Sequence, residues 1–101
     1  MADGVMVSVV FNLRSEAVER FASDVKQMLG DTRKHKGFRS SRLDVSCEDP
    51  NKLLLLSQWD RLEDYENYVA WRAARGESYD LVIPLSTAPP RREIWIMGST
   101  D

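Results

Sequence analysis

The sequence contains few of the residues that usually mark a reactive centre. Among its 101 residues there is one cysteine, Cys47, and one histidine, His35. A single cysteine excludes an internal disulfide, and no metal, phosphate or catalytic-triad motif is present. We interpret Cys47 as a buried, inert thiol at an inward strand position. We interpret His35, which lies in the basic segment 33–36, as a solvated loop residue.

The sequence also lacks a dominant charge and a long apolar run. Its 14 basic and 16 acidic residues give a net charge of −2, so no basic field is available for a phosphate backbone and no nucleic-acid partner is expected. No apolar run approaches the roughly 18 residues that span a bilayer, and the first residues do not resemble a signal peptide. We expect one domain, residues 1–101, in a cytoplasmic protein without membrane contact.

The chain instead follows a regular succession of strand and helix patterns. Val5–Leu13 alternates with a period of two. After Ser15, the expected N-cap, apolar residues recur at helical spacing; Gly37 is the expected end of this helix and Gly30 an earlier alternative. The predicted strands are Val5–Leu13, Phe38–Cys47, Leu53–Trp59 and Glu93–Met97. A second helix is predicted from a capping box at Asp60 and Glu63 to Gly76.

This order, β-α-β-β-α-β, is that of the ferredoxin-like α+β fold, a four-stranded antiparallel sheet with both helices on one face. The first and third strands are apolar on both faces, which predicts that they are central. The helix-free face would expose more apolar surface than a monomer usually shows, so we expect a homodimer with two sheets packed face to face. The residues expected on that face are Met6, Val10, Leu54, Leu56 and Trp95.

The segment 53–76 is the most informative stretch of the chain. It runs from an apolar strand that ends at Trp59 into a helix that carries aromatic residues and an arginine within two and a half turns. We expect these side chains to form an aromatic pocket between the sheet and the second helix. The helix residues concerned are Tyr65, Tyr68, Trp71 and Arg72.

Several short motifs in this order resemble the antibiotic biosynthesis monooxygenase (ABM) family, whose members form dimeric α+β barrels. The resemblance covers nearly the whole chain. The motifs are Thr32-Arg33 followed by Gly37, then Asp49-Pro50, Gln58-Trp59, Tyr65, Tyr68-x-x-Trp71-Arg72 and Pro89-Pro90.

The resemblance implies insertion of oxygen into a small phenolic or quinol-type substrate without a metal, flavin or other cofactor. In the polyketide-oxidising members the substrate anion itself reduces oxygen, and the protein orients and holds it. Trp59 and Tyr65 match residues of those enzymes, whereas Leu55 replaces a strand asparagine. Arg72 and Arg75 are the nearest matches to a late arginine.

The candidate site residues follow from the pocket and the resemblance together. We predict catalytic roles for Trp59, Tyr65 and Arg72, and substrate contacts for Asn12, Leu55, Tyr68 and Trp71. Other interpretations remain open. Trp59 is equally consistent with a core residue whose N–H meets a backbone carbonyl. Tyr68 and Trp71 are consistent with packing on a dimer partner, and Arg72 with a surface pair to Glu66 or Asp64.

Two other functions are compatible with the same fold. One is a non-catalytic dimer that binds a small ligand or acts as an interaction protein. The other is haem degradation, for which relatives use an axial histidine on or just after the second helix. This helix carries no histidine, although Asn12 matches a first-strand asparagine of those relatives. The sequence does not specify the substrate, nor whether residues 77–90 form a lid.

Overall fold

The computed structural model describes residues 4–98, and of Tyr79 the backbone alone. The elements follow the predicted order. The strands are β1 (Val5–Leu13), β2 (Phe38–Val45), β3 (Lys52–Trp59) and β4 (Ser86–Ile96). The helices are α1 (Val18–Thr32) and α2 (Leu62–Ala74), with short 3₁₀ helices at Ser15–Ala17 and Tyr79–Leu85. Within the described residues, no helix is long and apolar enough to cross a membrane.

The four strands form one antiparallel sheet in the order β2-β3-β1-β4. The predicted ferredoxin-like fold is confirmed, and so is the central position of the first and third strands. The odd-numbered residues of β1 are buried on the face that the helices cover. α1 places Phe21, Val25 and Leu29 against them. Burial of these aliphatic and aromatic side chains provides the main stabilisation of the fold.

The opposite face of the sheet carries no helix. Residues paired across the strands, such as Met6 with Trp95 and Val10 with Leu54, share this face. Its aliphatic residues on β1 and β3 are half-buried, and Trp95 is 48% exposed. The predicted placement of Met6, Val10, Leu54, Leu56 and Trp95 on one face is therefore correct.

Both predicted helix starts are wrong in their capping. Ser15 opens a 3₁₀ turn, and α1 begins three residues later without a side-chain cap. At α2 the N-cap residue is Arg61, again without a side-chain bond. Asp60 instead accepts a hydrogen bond from Nε of Arg39 at 2.6 Å. An ion pair with β2 thus replaces the expected capping box.

The predicted end of α1 is also wrong, whereas that of α2 is correct. α1 stops at Thr32, and Gly37, with φ of +83°, forms the turn into β2. α2 ends in a Schellman arrangement around Gly76. There the N–H of Gly76 meets the carbonyl of Ala73 at 3.0 Å, and the N–H of Glu77 meets that of Arg72 at 2.9 Å.

Two further predictions fail at the sheet edges. β4 begins seven residues before the expected Glu93 and runs through Pro89 and Pro90. Two successive prolines are tolerated there because β4 is an edge strand and because its register with β1 shifts between Val10 and Asn12, where neither proline is paired. β2 ends at Val45, so Cys47 lies exposed in the β2–β3 loop instead of in the core.

Candidate functional site

A cavity of about 530 Å³ lies between the helix-covered face of the sheet, the two helices and the 3₁₀ segment Tyr79–Leu85. Its sheet wall includes Leu55 and Trp59, and its α2 wall includes Tyr65, Tyr68 and Arg72. Side chains of α1 and of the 3₁₀ segment form further parts of the lining. Five of the seven predicted site residues therefore meet at one space.

Trp59 is completely buried at the end of β3. Its ring centre lies 5.8 Å from that of Tyr65 and 5.1 Å from that of Tyr68, so the three rings form a continuous aromatic wall. The indole N–H donates to Oγ of Ser57 at 3.0 Å. The acceptor is thus a side-chain hydroxyl, not the backbone carbonyl considered from the sequence.

Tyr65 is buried at the β4 side of the cavity and is 2% exposed. Nη1 of Arg92, on β4, donates to its hydroxyl oxygen at 3.5 Å. Cζ of Arg92 lies 5.8 Å from the centre of the Tyr65 ring. A cation thus faces both the hydroxyl and the ring of a predicted catalytic residue.

Tyr68 packs within its own chain instead of on a partner subunit. Its hydroxyl oxygen lies 2.7 Å from Oγ1 of Thr32, and Oγ1 of Thr32 donates to the carbonyl of Met28 at 3.2 Å. Burial raises the pKa of Tyr68 above its ordinary value, although the bond to Thr32 and the nearby Arg72 act in the opposite direction. Tyr68 is therefore a neutral phenol at physiological pH.

Arg72 lies beside the Tyr68 ring, with Cζ 5.8 Å from the ring centre. Its Nη2 lies 3.2 Å from Oε2 of Glu77. Oε1 of Glu77 also lies 2.8 Å from Nε of Arg75. Glu77, just past the end of α2, therefore replaces the Glu66 or Asp64 partner considered from the sequence.

Two serines on the sheet wall were missed by the sequence prediction. Ser41 on β2 and Ser57 on β3 are direct cross-strand partners and both line the cavity. The hydroxyl oxygen of Ser41 is buried and has no hydrogen-bond partner among residues 4–98. The alternation along β3 contained the signal, because it places Ser57 on the same face as Leu55 and Trp59.

Asn12 and Trp71 lie outside the cavity lining, so their predicted substrate contacts are not supported by their positions. Asn12 shares a face with the even-numbered residues of β1, away from the helices. Trp71 packs between His35, at 4.4 Å between ring centres, and the guanidinium of Arg75, at 4.5 Å. His35 is half-buried against Trp71 and Tyr68, which corrects its assignment as a solvated loop residue.

The part of the chain that the structure describes contains no group of three or more His, Cys, Asp or Glu side chains arranged to hold a metal ion. The titratable carboxylates of the cavity lining are Asp24, Asp31 and Glu77. They share the lining with aromatic rings and hydroxyl groups, a combination suited to an apolar ligand that carries a few oxygen atoms.

Comparison with models of protein families assigns the chain to a known family. The chain belongs to the antibiotic biosynthesis monooxygenase family, which it matches over residues 4–75. Comparison with curated proteins gives no match.

Similar folds occur among solved structures of low sequence identity. One is a variant of SnoaB from Streptomyces nogalater, a cofactor-independent oxygenase, with 17% identity, a TM-score of 0.81 and coverage of 98% of this chain and 97% of that one. Another is a conserved protein from Methanosarcina mazei, with 16% identity, a TM-score of 0.85 and coverage of 96% and 95%. A protein from Shewanella oneidensis has 15% identity, a TM-score of 0.80 and coverage of 94% and 91%.

Proposed function

We propose that this protein is a cofactor-independent monooxygenase that oxidises a small phenolic or quinol-type aromatic substrate in the cavity beneath α2. The observation that carries the proposal is the cavity itself, about 530 Å³ of space lined by aromatic and aliphatic side chains together with several polar ones. This volume falls within the range of about 300–1,000 Å³ that is usual for small-molecule sites. Membership of the monooxygenase family supports the reaction class.

The proposed chemistry takes its electrons from the substrate. Loss of one proton gives an electron-rich phenolate or enolate, and this anion transfers electrons to O₂. For a ring methylene, four electrons pass from the carbon to O₂. One oxygen atom becomes the carbonyl, and the other leaves as water with the two methylene hydrogens. The protein contributes orientation, exclusion of water and stabilisation of the anion.

The lining residues divide this work between them. Trp59 and Tyr65 belong to the aromatic wall of the cavity and orient the flat substrate. Arg72 supplies positive charge for the anion, because its side chain lines the cavity and is only 16% exposed. Tyr68 contributes a neutral hydroxyl and a ring face, and Leu55 an apolar floor.

Oxygen uptake with 1,8-dihydroxyanthrone and with substituted hydroquinones tests the proposal. The rate in buffer alone is subtracted, because such compounds oxidise slowly in air. We expect a protein-dependent rate that persists after treatment with a chelator, with one O₂ consumed per carbonyl formed from the methylene of the anthrone. Arg72→Gln should lower the rate, whereas Arg20→Gln, whose side chain is 87% exposed on α1, should not. No protein-dependent uptake with any member of the panel would contradict the proposal.

A second function, ligand binding without turnover, is favoured by the pairing of Arg72 with Glu77. This pairing neutralises the cation that an anionic intermediate would need. In that case aromatic ligands would bind and be recovered unchanged under air. Product analysis of the same incubations separates the two functions.

We also propose that the functional unit is a homodimer in which the open faces of two sheets pack together. The half-buried aliphatic residues and the exposed indole of Trp95 on that face support this assembly.

A further inference from the structure

We propose that Ser41 and Ser57 form a two-hydroxyl site on the sheet wall of the cavity, which binds an acceptor oxygen, a carbonyl or a phenolate, of an aromatic ligand. This inference rests on the proposed function because it concerns the ligand of the same cavity. It concerns recognition alone, so it can be tested without turnover.

The sheet register brings the two hydroxyls together. Ser41 and Ser57 are paired directly across β2 and β3, so their side chains leave the same face with Cβ atoms about 4.5–5.5 Å apart. That face is the one that carries Leu55 and Trp59, and both serines line the cavity. One ligand oxygen placed between them lies within reach of both.

Ser57 has a hydrogen to donate. Its oxygen accepts the indole N–H of Trp59 at 3.0 Å, and within residues 4–98 the structure gives its hydroxyl no acceptor. Accepting a hydrogen bond polarises a hydroxyl and makes it a better donor. The indole of Trp59 therefore acts on a ligand oxygen through Ser57.

Among the described residues, the hydroxyl of Ser41 has no hydrogen-bond partner. Its oxygen is buried and makes no hydrogen bond to any described residue, a state that costs free energy and that native proteins rarely leave uncompensated. A serine side chain has three staggered χ1 positions. Because no hydrogen bond holds the Ser41 oxygen in its present position, rotation toward the cavity breaks no hydrogen bond. A ligand acceptor oxygen would provide the missing partner.

These features define the class of ligand. Two hydroxyl donors favour a carbonyl or phenolate oxygen over a plain hydrocarbon edge. The neighbouring lining, which includes Phe11, Leu55 and Val69, is apolar and suits a ring system. The structure therefore indicates an aromatic ketone or phenolate with its oxygen against β2 and β3.

The test compares two probes of the same skeleton, 1-tetralone, which has a carbonyl, and tetralin, which has none. Binding is measured by protein-observed NMR titration. Ser41→Ala and Ser57→Ala should each weaken 1-tetralone binding by about 2- to 10-fold and leave tetralin binding within a factor of two. Ser40→Ala is the matched control, because Ser40 is an exposed serine of the same strand, outside the cavity lining. It should change neither affinity.

Thermal unfolding of the ligand-free protein gives a second readout. The midpoint of Ser41→Ala should equal or exceed that of the wild type, because the variant removes a buried hydroxyl that has no partner. A clearly lower midpoint would overturn the proposal. In the binding experiment, equal losses of affinity for both probes, or undiminished 1-tetralone binding in both serine variants, would also overturn it. So would a wild type that binds neither probe. A wild type that consumes oxygen but binds 1-tetralone no more tightly than tetralin would overturn this site alone. Absence of oxygen uptake with the ketone preference intact would overturn the monooxygenase alone.

Discussion

The hydroxyl oxygen of Tyr68 lies 2.7 Å from Oγ1 of Thr32, and this contact joins α2 to α1 beside the cavity. Oγ1 of Thr32 also donates to the carbonyl of Met28. Because that bond uses the only hydroxyl hydrogen of Thr32, Tyr68 is the donor in the contact between the helices. The oxygen of Tyr68 therefore retains lone pairs with which to accept a hydrogen bond from a ligand.

The direction of this hydrogen bond predicts that loss of the donor hydroxyl of Tyr68 and loss of the acceptor hydroxyl of Thr32 lower the stability by different amounts. Tyr68→Phe should lower the free energy of unfolding by about 0.5–1.5 kcal/mol, because Thr32 keeps its bond to Met28. Thr32→Val should cost about 1–3 kcal/mol, because it leaves a buried phenol unsatisfied. Urea unfolding measures both. The double variant should cost less than the sum of the two; strict additivity would show that the two groups do not interact.

Tyr68 should also make the protein lose stability at alkaline pH. Its pKa is raised in the folded state, so above a pH of about 10, the ordinary pKa of tyrosine, the unfolded chain releases this proton more readily than the folded protein. The contribution of the protonated Tyr68 to the free energy of unfolding is complete below pH 10, and it is lost as the pH rises through the pKa of Tyr68 in the folded protein. Urea unfolding between pH 8 and 11 should show this decrease, and Tyr68→Phe should make it shallower. Identical slopes in the two proteins would contradict the assignment.

Two glycines with positive φ provide a matched pair of substitutions. Gly37 and Gly76 have φ of +83° and +75°, so alanine at either position pays a backbone cost of about 1–2 kcal/mol. A Cβ on Gly37 would also collide with the side chain of Asp64, whereas one on Gly76 would meet nothing within 4 Å. Gly37→Ala should therefore be the more destabilising in urea unfolding, by about 1 kcal/mol or more. Equal losses would show that Asp64 moves aside freely.

Local periodicity was sufficient to predict the two central strands of the sheet. The alternation along Val5–Leu13 and the doubly apolar third strand reflect burial directly, because successive side chains of a strand point to opposite faces. The end of α1 was not predictable in the same way. Gly37 is a plausible helix terminator by residue type, but its positive φ serves the turn before β2.

The site residues that lie on a single strand or helix were predicted from the sequence. Those that meet from several elements were missed. Trp59 and Tyr65 follow from the end of one strand and the spacing of one helix. The partners Ser41, Glu77 and Arg92 depend on cross-strand register and on the path of the chain after α2. The strand pattern around Arg92 is weak because β4 is an exposed edge strand with two prolines.

The pairing of Arg72 with Glu77 predicts how the cavity discriminates between charged and neutral ligands. Their side chains are 16% and 33% exposed, so water screens them only in part. Arg72→Gln should weaken binding of 2-naphthoate by about 10-fold, since a hydrogen bond to a charged group is lost. Binding of neutral 2-naphthol should change by less than about 2-fold.

Glu77→Gln provides the complementary test. It removes the carboxylate that competes for Arg72, so 2-naphthoate should bind more tightly than to the wild type. Calorimetric titration of both ligands with both variants measures these changes. If Glu77→Gln weakened 2-naphthoate binding, Glu77 would be a support for Arg72 and not a competitor.

The open face of the sheet predicts the assembly state. Leu56 is half-buried near the middle of this face, paired with Ser8 on β1 and Arg42 on β2. In a symmetric dimer each substitution occurs twice, so Leu56→Arg would bury two unpaired cations at a cost of several kcal/mol.

Light scattering at micromolar concentration should give twice the chain mass of 11.6 kDa for the wild type and the chain mass for Leu56→Arg. Ala70→Arg, at an exposed position of α2, should remain dimeric. A wild type of single chain mass, or a Leu56→Arg variant that stays dimeric, would show that this face is not the interface.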